Sequence, residues 1–299
     1  MVLSLPSTLR SRFVRVIVWA VLIANIGITV TGALVRLTAS GLGCPTWPLC
    51  TEDSLVTTPE MGIHGIIEFG NRLLTFVLLI VTVLVLVALW RLRREHRDLW
   101  RLGIVLLAGI PLQAVVGGIS VWMKLNPYVV GFHFVLSIAM TVVATILVIR
   151  VYDGTETARL RAVPVVSWLL VASTLMTLLM GILTTGSGPH AGDAAAPRNG
   201  LEPELIQHVH SWPAYASIVL VNVAWFTGNV RARRWMAALL FALVAQAIVG
   251  VVQSRTGLPV PLVAAHVLMA MMTTAIATAA IYRSAMSGSM ATAMKSAVK

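Results

Sequence analysis

The sequence predicts an all-α integral membrane protein, with eight transmembrane helices forming two pseudo-symmetric four-helix bundles. Of its 299 residues, 58% are hydrophobic and only 11% are charged, a balance far too apolar for a soluble domain. Eight apolar stretches are each about 20 residues long or longer, which is the length that crosses the hydrocarbon core of a bilayer. An internal repeat, described below, predicts that the helices form two related groups of four.

The predicted spans leave almost no chain for a separate soluble domain. We place them at about 14–35, 62–90, 102–122, 129–150, 164–184, 205–228, 235–254 and 262–283. The first is too long, and too weakly followed by small residues, to be a cleaved signal peptide, so it is interpreted as a span. We expect residues 14–151 to form the N-terminal bundle and residues 164–283 the C-terminal bundle.

Basic residues predict the orientation in the membrane. With the N-terminus in the cytoplasm, most of the 22 Lys and Arg fall on the inner side. These are Arg10, Arg12, Arg15, the five arginines of the run RLRREHRDLWR, Arg150, Arg159, Arg161, Arg231, Arg233, Arg234, Arg283, Lys295 and Lys299. The outer side keeps Arg36, Lys124, Arg198 and Arg255. This asymmetry predicts a multi-pass protein of the cell membrane with both termini in the cytoplasm, where the basic clusters lie beside anionic lipid and bind no nucleic acid.

One long motif occurs twice. Residues 113–133 read QAVVGGISVWMKLNPYVVGFH, and residues 246–266 read QAIVGVVQSRTGLPVPLVAAH. Each copy runs from a Gln in one outgoing helix to a His early in the returning helix. Two halves with an even number of spans share one orientation, so they are predicted to be parallel repeats. Helix bundles build cofactor sites from side chains on facing helices, so the histidines of these helices are candidate cofactor ligands.

Four histidines share one predicted depth. They lie in the first turns of helices two, four, six and eight: His64, His133, His210 and His266. A single His near a helix end often has an interfacial or hydrogen-bonding role, but four ionisable groups at one level favour a function. Imidazole binds haem iron, zinc or copper. With no cluster of Cys, Asp or Glu beside them to complete a zinc site, paired histidines favour haem.

The second half has the clearer pair, with His210 in LIQHVHSWPAY and His266 in LVAAHVLMAMM. We expect them to face one another and hold a low-spin haem by two axial nitrogens. His208 competes with His210 for this role. Because the two are only two residues apart, they point to different faces of the helix and only one can look into the bundle.

The first half differs in its chemistry. In HGIIEFGNR of the second span, His64, Glu68 and Asn71 have i, i+4, i+7 spacing and occupy one helical face. Glu68 either pairs with Arg72, four residues on, or handles protons and orients a substrate. On the second interpretation, an iron is held on one side by His133 and is open or weakly held on the other.

Both cysteines, Cys44 and Cys50, occur in GLGCPTWPLC on the predicted outer side. An isolated pair in an oxidising compartment predicts a disulfide, and free redox-active thiols are the alternative. The loop TTGSGPHAGDAAAPRNG between spans five and six has turn composition and carries His190. We expect this loop to act as a lid or gate over the second haem.

Together, these segments resemble the haem A synthase family, the bacterial and mitochondrial enzymes that convert haem O to haem A for cytochrome c oxidase. The segments are GLGCPTWPLC, IEFGNR, the two Gln-to-His hairpins, TGSGPHAGD and the histidines of spans six and eight. The resemblance implies two four-helix bundles, a haem b on His210 and His266, and a catalytic N-terminal half that binds haem O. It also matches the family's extracytoplasmic cysteine pair to Cys44 and Cys50, and its important acid to Glu68.

One position departs from the family pattern. Many members carry a His three residues after that Glu, where this chain has Asn71. Either His64 replaces the missing ligand, which we favour, or His133 alone holds the substrate iron. The expected substrate-haem site is thus His133, His64, Asn71 and Arg72, with Glu68 as the catalytic residue.

The reaction that the resemblance implies is oxidation of a porphyrin methyl group to a formyl group, by two successive hydroxylations and loss of water. It implies an electron donor, which the sequence does not identify, and haem O supplied from the lipid or by a partner haem O synthase. The main alternative is a b-type cytochrome that transfers electrons between quinol and an acceptor. A transporter without a cofactor is a more distant alternative.

Overall fold

The computed structural model describes residues 6, 8–153, 164–227 and 230–297, and within these ranges the protein is all-α with no β-strand. Eight α-helices follow one another: α1 Arg12–Leu37, α2 Gly62–Leu89, α3 Arg97–Trp122, α4 Pro127–Asp153, α5 Val165–Ser187, α6 Pro203–Thr227, α7 Val230–Arg255 and α8 Val260–Ala297. A 3₁₀ turn, Pro59–Met61, precedes α2. The predicted helical fold class is therefore confirmed, and α8 continues well beyond its predicted end at 283.

Seven of these helices are long and apolar enough to cross a membrane: α1 to α5, α7 and α8, counted over the described residues. The protein is thus a multi-pass membrane protein. Helix α6 has 25 residues, so it has the necessary length. Its first turns carry Glu204, Gln207, His208 and His210, which lower its mean hydropathy. The eighth predicted span stays a prediction.

The chain divides into two compact units. Unit 1 comprises Met1–Tyr152 and Ile182–Pro203, and unit 2 comprises Asp153–Gly181 and Glu204–Lys299. In unit 1, the fully buried side chains Val18, Val85, Leu106 and Leu147 bring α1, α2, α3 and α4 into one apolar core. In unit 2, a separate core joins α5 to α8 through Leu170, Val221, Leu239 and Ala280. Each unit thus has a core of its own, built from four helices.

Large apolar side chains also cover the outside of the helices. Phe226 is 73% exposed and Phe241 is 78% exposed, and Phe76, Ile80 and Ile23 are more than half exposed. A soluble protein rarely exposes so many large apolar side chains to this extent, whereas lipid tails are the natural neighbour of such side chains.

At the predicted cytoplasmic end of unit 1, Arg150 near the end of α4 forms an ion pair with Asp98 in the first turn of α3. Other basic residues on which the orientation prediction depends, Arg159, Arg161 and Lys299, lie outside the described residues, as do the side chains of Arg231 and Lys295. The orientation of the termini accordingly stays a prediction.

The α5–α6 loop packs against the end of unit 1 that is predicted to face outward. Arg36, at the end of α1, donates hydrogen bonds from Nε to the carbonyl of His190 at 2.7 Å and from Nη2 to that of Thr185 at 2.9 Å. Gly41 N–H donates to the carbonyl of Gly192 at 2.8 Å, and Gly192 has a φ of 98°, which favours glycine. These contacts hold the loop on unit 1, and the expectation that it acts as a lid over the second haem stays a prediction.

Candidate functional site

The ring of His210, from α6, lies beside the ring of His266, from α8, inside unit 2. Their centroids are 6.4 Å apart and their planes are inclined by 78°. His210 Nδ1 lies 2.9 Å from the carbonyl oxygen of Thr177 in α5. Because a carbonyl only accepts, Nδ1 carries the proton and Nε2 keeps its lone pair, the state in which imidazole binds a metal.

This spacing fits a metal bound between the two rings. Metal–imidazole bonds are about 2 Å long, and a ring nitrogen lies about 1 Å from its ring centre, which together give about 6 Å between centroids. The measured 6.4 Å agrees with this value. The donor set of two neutral imidazoles is that of a low-spin haem.

His208 has a different environment from its neighbour. Its Nδ1 lies 2.7 Å from the carbonyl of Glu204 in the same helix, and its side chain is exposed. Of the two candidates in α6, His210 is therefore the one that shares an interior with His266.

Glycines make room for both rings. A Cβ on Gly181 of α5 would lie 2.9 Å from His210 Cε1, and a Cβ on Gly250 of α7 would lie 3.2 Å from His266 Cε1. Real Cβ atoms are almost never found as close as 2.9 Å, so only glycine leaves the space that the His210 ring occupies, whereas the contact at 3.2 Å would require the His266 ring to shift by a few tenths of an ångström.

Glycines also lie beside His133 and Asn71 in unit 1, at ordinary van der Waals distances. A Cβ on Gly117 of α3 would lie 3.4 Å from His133 Cε1, and a Cβ on Gly32 of α1 would lie 3.8 Å from Asn71 Nδ2. Gly117 follows Gln113 by four residues, as Gly250 follows Gln246. Asn71 thus occupies, in unit 1, the place beside a helix glycine that His210 occupies in unit 2.

Asn71 and His64 bind different neighbours. The hydroxyl of Thr31 in α1 donates to Asn71 Oδ1 at 2.7 Å. His64, which is exposed, has its Nδ1 2.9 Å from the hydroxyl of Ser40 in the segment after α1. Within the described residues, no ring–ring contact joins His64 to His133, and no hydrogen bond joins Asn71 to His133.

Glu68 is buried beneath the cysteine loop, with 6% of its surface exposed. Its Oε2 accepts a hydrogen bond from the backbone N–H of Cys44 at 2.6 Å, and its Oε1 pairs with Arg72 Nη2 at 2.6 Å. Arg72 in turn donates to the carbonyls of Cys44, Thr46 and Leu49 at 3.0–3.2 Å. The predicted Glu68–Arg72 pair is present. Both side chains also form hydrogen bonds to the backbone of the loop between Cys44 and Cys50.

Cys44 and Cys50 form a disulfide that closes this loop. The predicted disulfide is confirmed, and the alternative of two free thiols is wrong. Trp47, inside the loop, packs edge-on against Trp122 with ring centroids 5.4 Å apart. A Cβ on Gly118 would lie 2.3 Å from the Trp47 ring, so the absence of a side chain at this glycine allows the loop to pack closely against α3.

Comparison with known proteins identifies the family. The family described as cytochrome oxidase assembly protein, COX15-CtaA, matches residues 15–278. The chain belongs to the COX15-CtaA family. A heme A synthase of Staphylococcus epidermidis is 24% identical over 259 residues, covering 79% of this chain and 84% of that protein. A heme A synthase of Listeria monocytogenes is 27% identical over 274 residues, covering 84% of this chain and 90% of that protein.

Membership of the COX15-CtaA family confirms the resemblance read from the cysteine loop, the second helix and the histidines. The sequence interpretation missed two polar residues of the site, Gln113 and Gln246. Gln113 lies beside His133, with Nε2 2.8 Å from the hydroxyl of Ser137, and Gln246 Nε2 donates to the backbone carbonyl of His266 at 3.0 Å. Because the two glutamines occupy the same position in the two repeats, the sequence alone could have indicated them as site residues.

Proposed function

We propose that this protein is a haem A synthase that oxidises a methyl group of haem O to a formyl group and so supplies haem A for cytochrome c oxidase. The family and the names of the relatives support this function. The observation that carries it is the chemical difference between the repeats: His210 and His266 form a matched imidazole pair, whereas Asn71 takes the corresponding place in unit 1 beside the buried acid Glu68.

On this proposal, residues 164–283 form the C-terminal bundle and bind haem b through Nε2 of His210 and of His266. Haem b supplies one-electron redox chemistry when bound, and two fixed axial ligands suit that role. The protein contributes the tautomer of His210, which the Thr177 carbonyl sets, and the space that Gly181 and Gly250 leave for the rings.

Residues 14–151 form the catalytic bundle, in which His133 binds the iron of haem O. His64 and Asn71 lie on the face of α2 that Glu68 shares, and they complete the site on the side opposite His133. A single firm ligand suits a site that must accept and release a large porphyrin. Asn71, held by Thr31, is a weaker donor than imidazole.

Glu68 is the catalytic residue of this proposal. It is held in place by the Cys44 N–H and by Arg72, so that its carboxylate is fixed one helical turn from both His64 and Asn71. At that position it accepts or delivers protons as the methyl group is oxidised. The guanidinium of Arg72 contacts Glu68 and the disulfide loop, and so acts on the substrate site through them.

The proposed setting is the cell membrane, with both termini in the cytoplasm and the disulfide loop on the outer side. The oxidising outer compartment agrees with the disulfide, and the basic residues agree with the inner side. Haem O reaches the protein from the lipid or from a haem O synthase, and an electron donor completes the reaction.

The test is expression in a host that makes haem O but no haem A, followed by chromatography of the extracted haems. Haem A in cells with the intact chain, and none in cells with the empty vector, is the expected result. A purified protein that holds only haem b and leaves haem O unchanged would instead support the b-type cytochrome, which neither the family nor the relatives favour.

A further inference from the structure

The two repeated glutamines contact the histidines that end their motifs. Gln113 of α3 and His133 of α4 are twenty residues apart, as are Gln246 of α7 and His266 of α8. Each Gln lies one turn before the glycine that makes room for the same ring, Gly117 or Gly250. In each of the segments QAVVG and QAIVG, the Gln side chain and the space left by the Gly therefore lie on one helical face, next to the histidine that ends the same motif.

In unit 1 the side-chain amide of Gln113 lies 2.9 Å from His133 Nδ1. A side-chain amide can be turned by 180°, which exchanges its oxygen and its nitrogen. With the oxygen toward the ring, Oε1 accepts from Nδ1–H but also lies 3.3 Å from the carbonyl oxygen of His133. Nε2 then donates to the hydroxyl of Ser137 at 2.8 Å but also faces the Ser137 N–H at 3.0 Å. With the nitrogen toward the ring, every contact of the amide is paired: it donates to Nδ1 and to the His133 carbonyl, and its oxygen accepts from Ser137. The imidazole proton must then sit on Nε2.

Only the first orientation produces a histidine that can bind iron through Nε2. The lone pair of Nε2 is free only when Nδ1 carries the proton. Orientation of the Gln113 amide and tautomer of His133 are hence coupled, and binding of a metal selects the oxygen-inward amide.

In unit 2 one atom of each corresponding residue lacks a hydrogen-bond partner among the described residues. Gln246 Nε2 donates to the His266 carbonyl, which fixes the side chain beside that residue. In the part of the chain that the structure describes, buried Gln246 Oε1 and buried His266 Nδ1 have no hydrogen-bond partner. An acceptor without a donor and a potential donor without an acceptor, in two residues already in contact, would be satisfied together by one hydrogen bond from Nδ1–H to Oε1, which requires the Gln246 amide to move from its present position.

We propose that, in the iron-bound protein, Gln113 and Gln246 are positioning residues that hold His133 and His266 as Nδ1–H tautomers and thereby set the donor strength of Nε2. The proposal rests on the function proposed above, because it assigns these two histidines to iron. Acceptors on the far nitrogen of a ligating histidine orient its ring and raise its basicity. For His210, the Thr177 carbonyl is the acceptor for the proton on Nδ1.

The experiment measures the midpoint potential of the low-spin haem in full-length protein purified with its own haem b. Gln246→Glu places a carboxylate at Nδ1–H, which strengthens Nε2 as a donor, favours the ferric state and lowers the potential. Gln246→Leu removes the acceptor and raises the potential. Opposite shifts from two substitutions of one residue identify a hydrogen bond to the ligand, since a purely structural defect does not change sign with the acceptor.

Gln253→Glu is the matched control. It adds the same charge to α7 two turns further on, where Gln253 also has a buried oxygen without a partner among the described residues. We expect this variant to shift the potential less than Gln246→Glu does. An equal shift would show that any added charge on this helix suffices, and the proposal would be wrong.

The remaining outcomes separate the two proposals. A parent protein without low-spin haem contradicts the proposed function itself. Low-spin haem in the parent, with the same potential in both Gln246 variants, contradicts only the role of the glutamine. If Gln246→Glu fails to retain haem, Gln246→Asn replaces it: its amide is too short to reach Nδ1, so it must raise the potential as Gln246→Leu does, and an unchanged potential overturns the proposal.

Discussion

The backbone N–H of Cys44 donates to the carboxylate of Glu68 at 2.6 Å, so a buried acid in α2 holds the first half of the disulfide loop. Arg72 binds the same carboxylate and also the carbonyls of Thr46 and Leu49. The carboxylate is therefore the shared partner of a backbone donor and a guanidinium, and it is fixed on the face of α2 that carries His64 and Asn71.

Glu68→Gln keeps the size of the side chain and an oxygen for the Cys44 N–H while removing the charge. We expect conversion of haem O to fall by about 10²–10⁴-fold, the usual contribution of a general acid or base, with haem b absorbance intact. Extracted haems and the absorbance spectrum measure the two effects separately. Glu60→Gln, at an exposed site in the turn before α2, is the control and should convert haem O normally. Full conversion by Glu68→Gln would reduce Glu68 to an anchor of Arg72 and the loop.

The second prediction concerns the disulfide. Mass mapping of peptides under non-reducing conditions should recover Cys44 joined to Cys50 within one chain. Changing both to Ser should destabilise the loop by about 2 kcal/mol, because the open loop gains conformational freedom, and should speed protease cleavage between residues 44 and 50. If freshly purified, active protein contains two free thiols, this prediction is wrong.

The third prediction separates the two histidines of α6. His210→Ala should abolish the low-spin haem spectrum, because it removes the ring that faces His266. His208→Ala should leave the spectrum unchanged, since that ring is exposed and bound to its own helix. Optical and electron paramagnetic resonance spectra of both variants decide the matter. The opposite pattern would make His208 the ligand.

The fourth prediction tests the space left by glycine. Gly181→Ala puts a Cβ 2.9 Å from His210 Cε1, and the ring cannot retreat without giving up its bond to Thr177. We expect overpacking to cost about 1–3 kcal/mol and to lower haem b occupancy. Gly250→Ala, with its contact at 3.2 Å, should have a smaller effect.

Gly27→Ala is the control for these variants, because a Cβ there meets no atom within 4 Å. Replacing a helical Gly by Ala at such an open position stabilises a helix by roughly 1 kcal/mol, so haem occupancy should not fall. If Gly181→Ala binds haem b with the parent spectrum, the gap at Gly181 is not needed to seat His210.

The sequence was sufficient for the helices and the disulfide, and the reason is physical. A run of about 20 apolar residues has few places to go other than a membrane helix, and Cys44 and Cys50 had no other cysteine to pair with. Gly181 and Thr177 could not be assigned to His210 in advance, because contacts between helices depend on helix rotation and tilt. The contacts of the α5–α6 loop with Arg36 could not be assigned in advance either, because turn residues show where the chain bends but not which surface it packs against.

The last prediction concerns Asn71, the residue that distinguishes unit 1 from unit 2. Asn71→His places an imidazole next to Gly32, where a Cβ would still be 3.8 Å from the present Asn71 side chain, so the site has the room that His210 finds beside Gly181. Two imidazoles, the new one and His133, should then hold haem O or haem A more firmly, and the purified variant should carry an additional low-spin haem. Tighter binding slows release, so turnover should fall while retained haem rises. Adding His133→Ala to the variant should remove the extra signal and leave that of His210 and His266. If Asn71→His retains no more haem than the parent while His64→Ala in the parent lowers retention of haem O, then His64 is the second ligand and Asn71 is only the partner of Thr31.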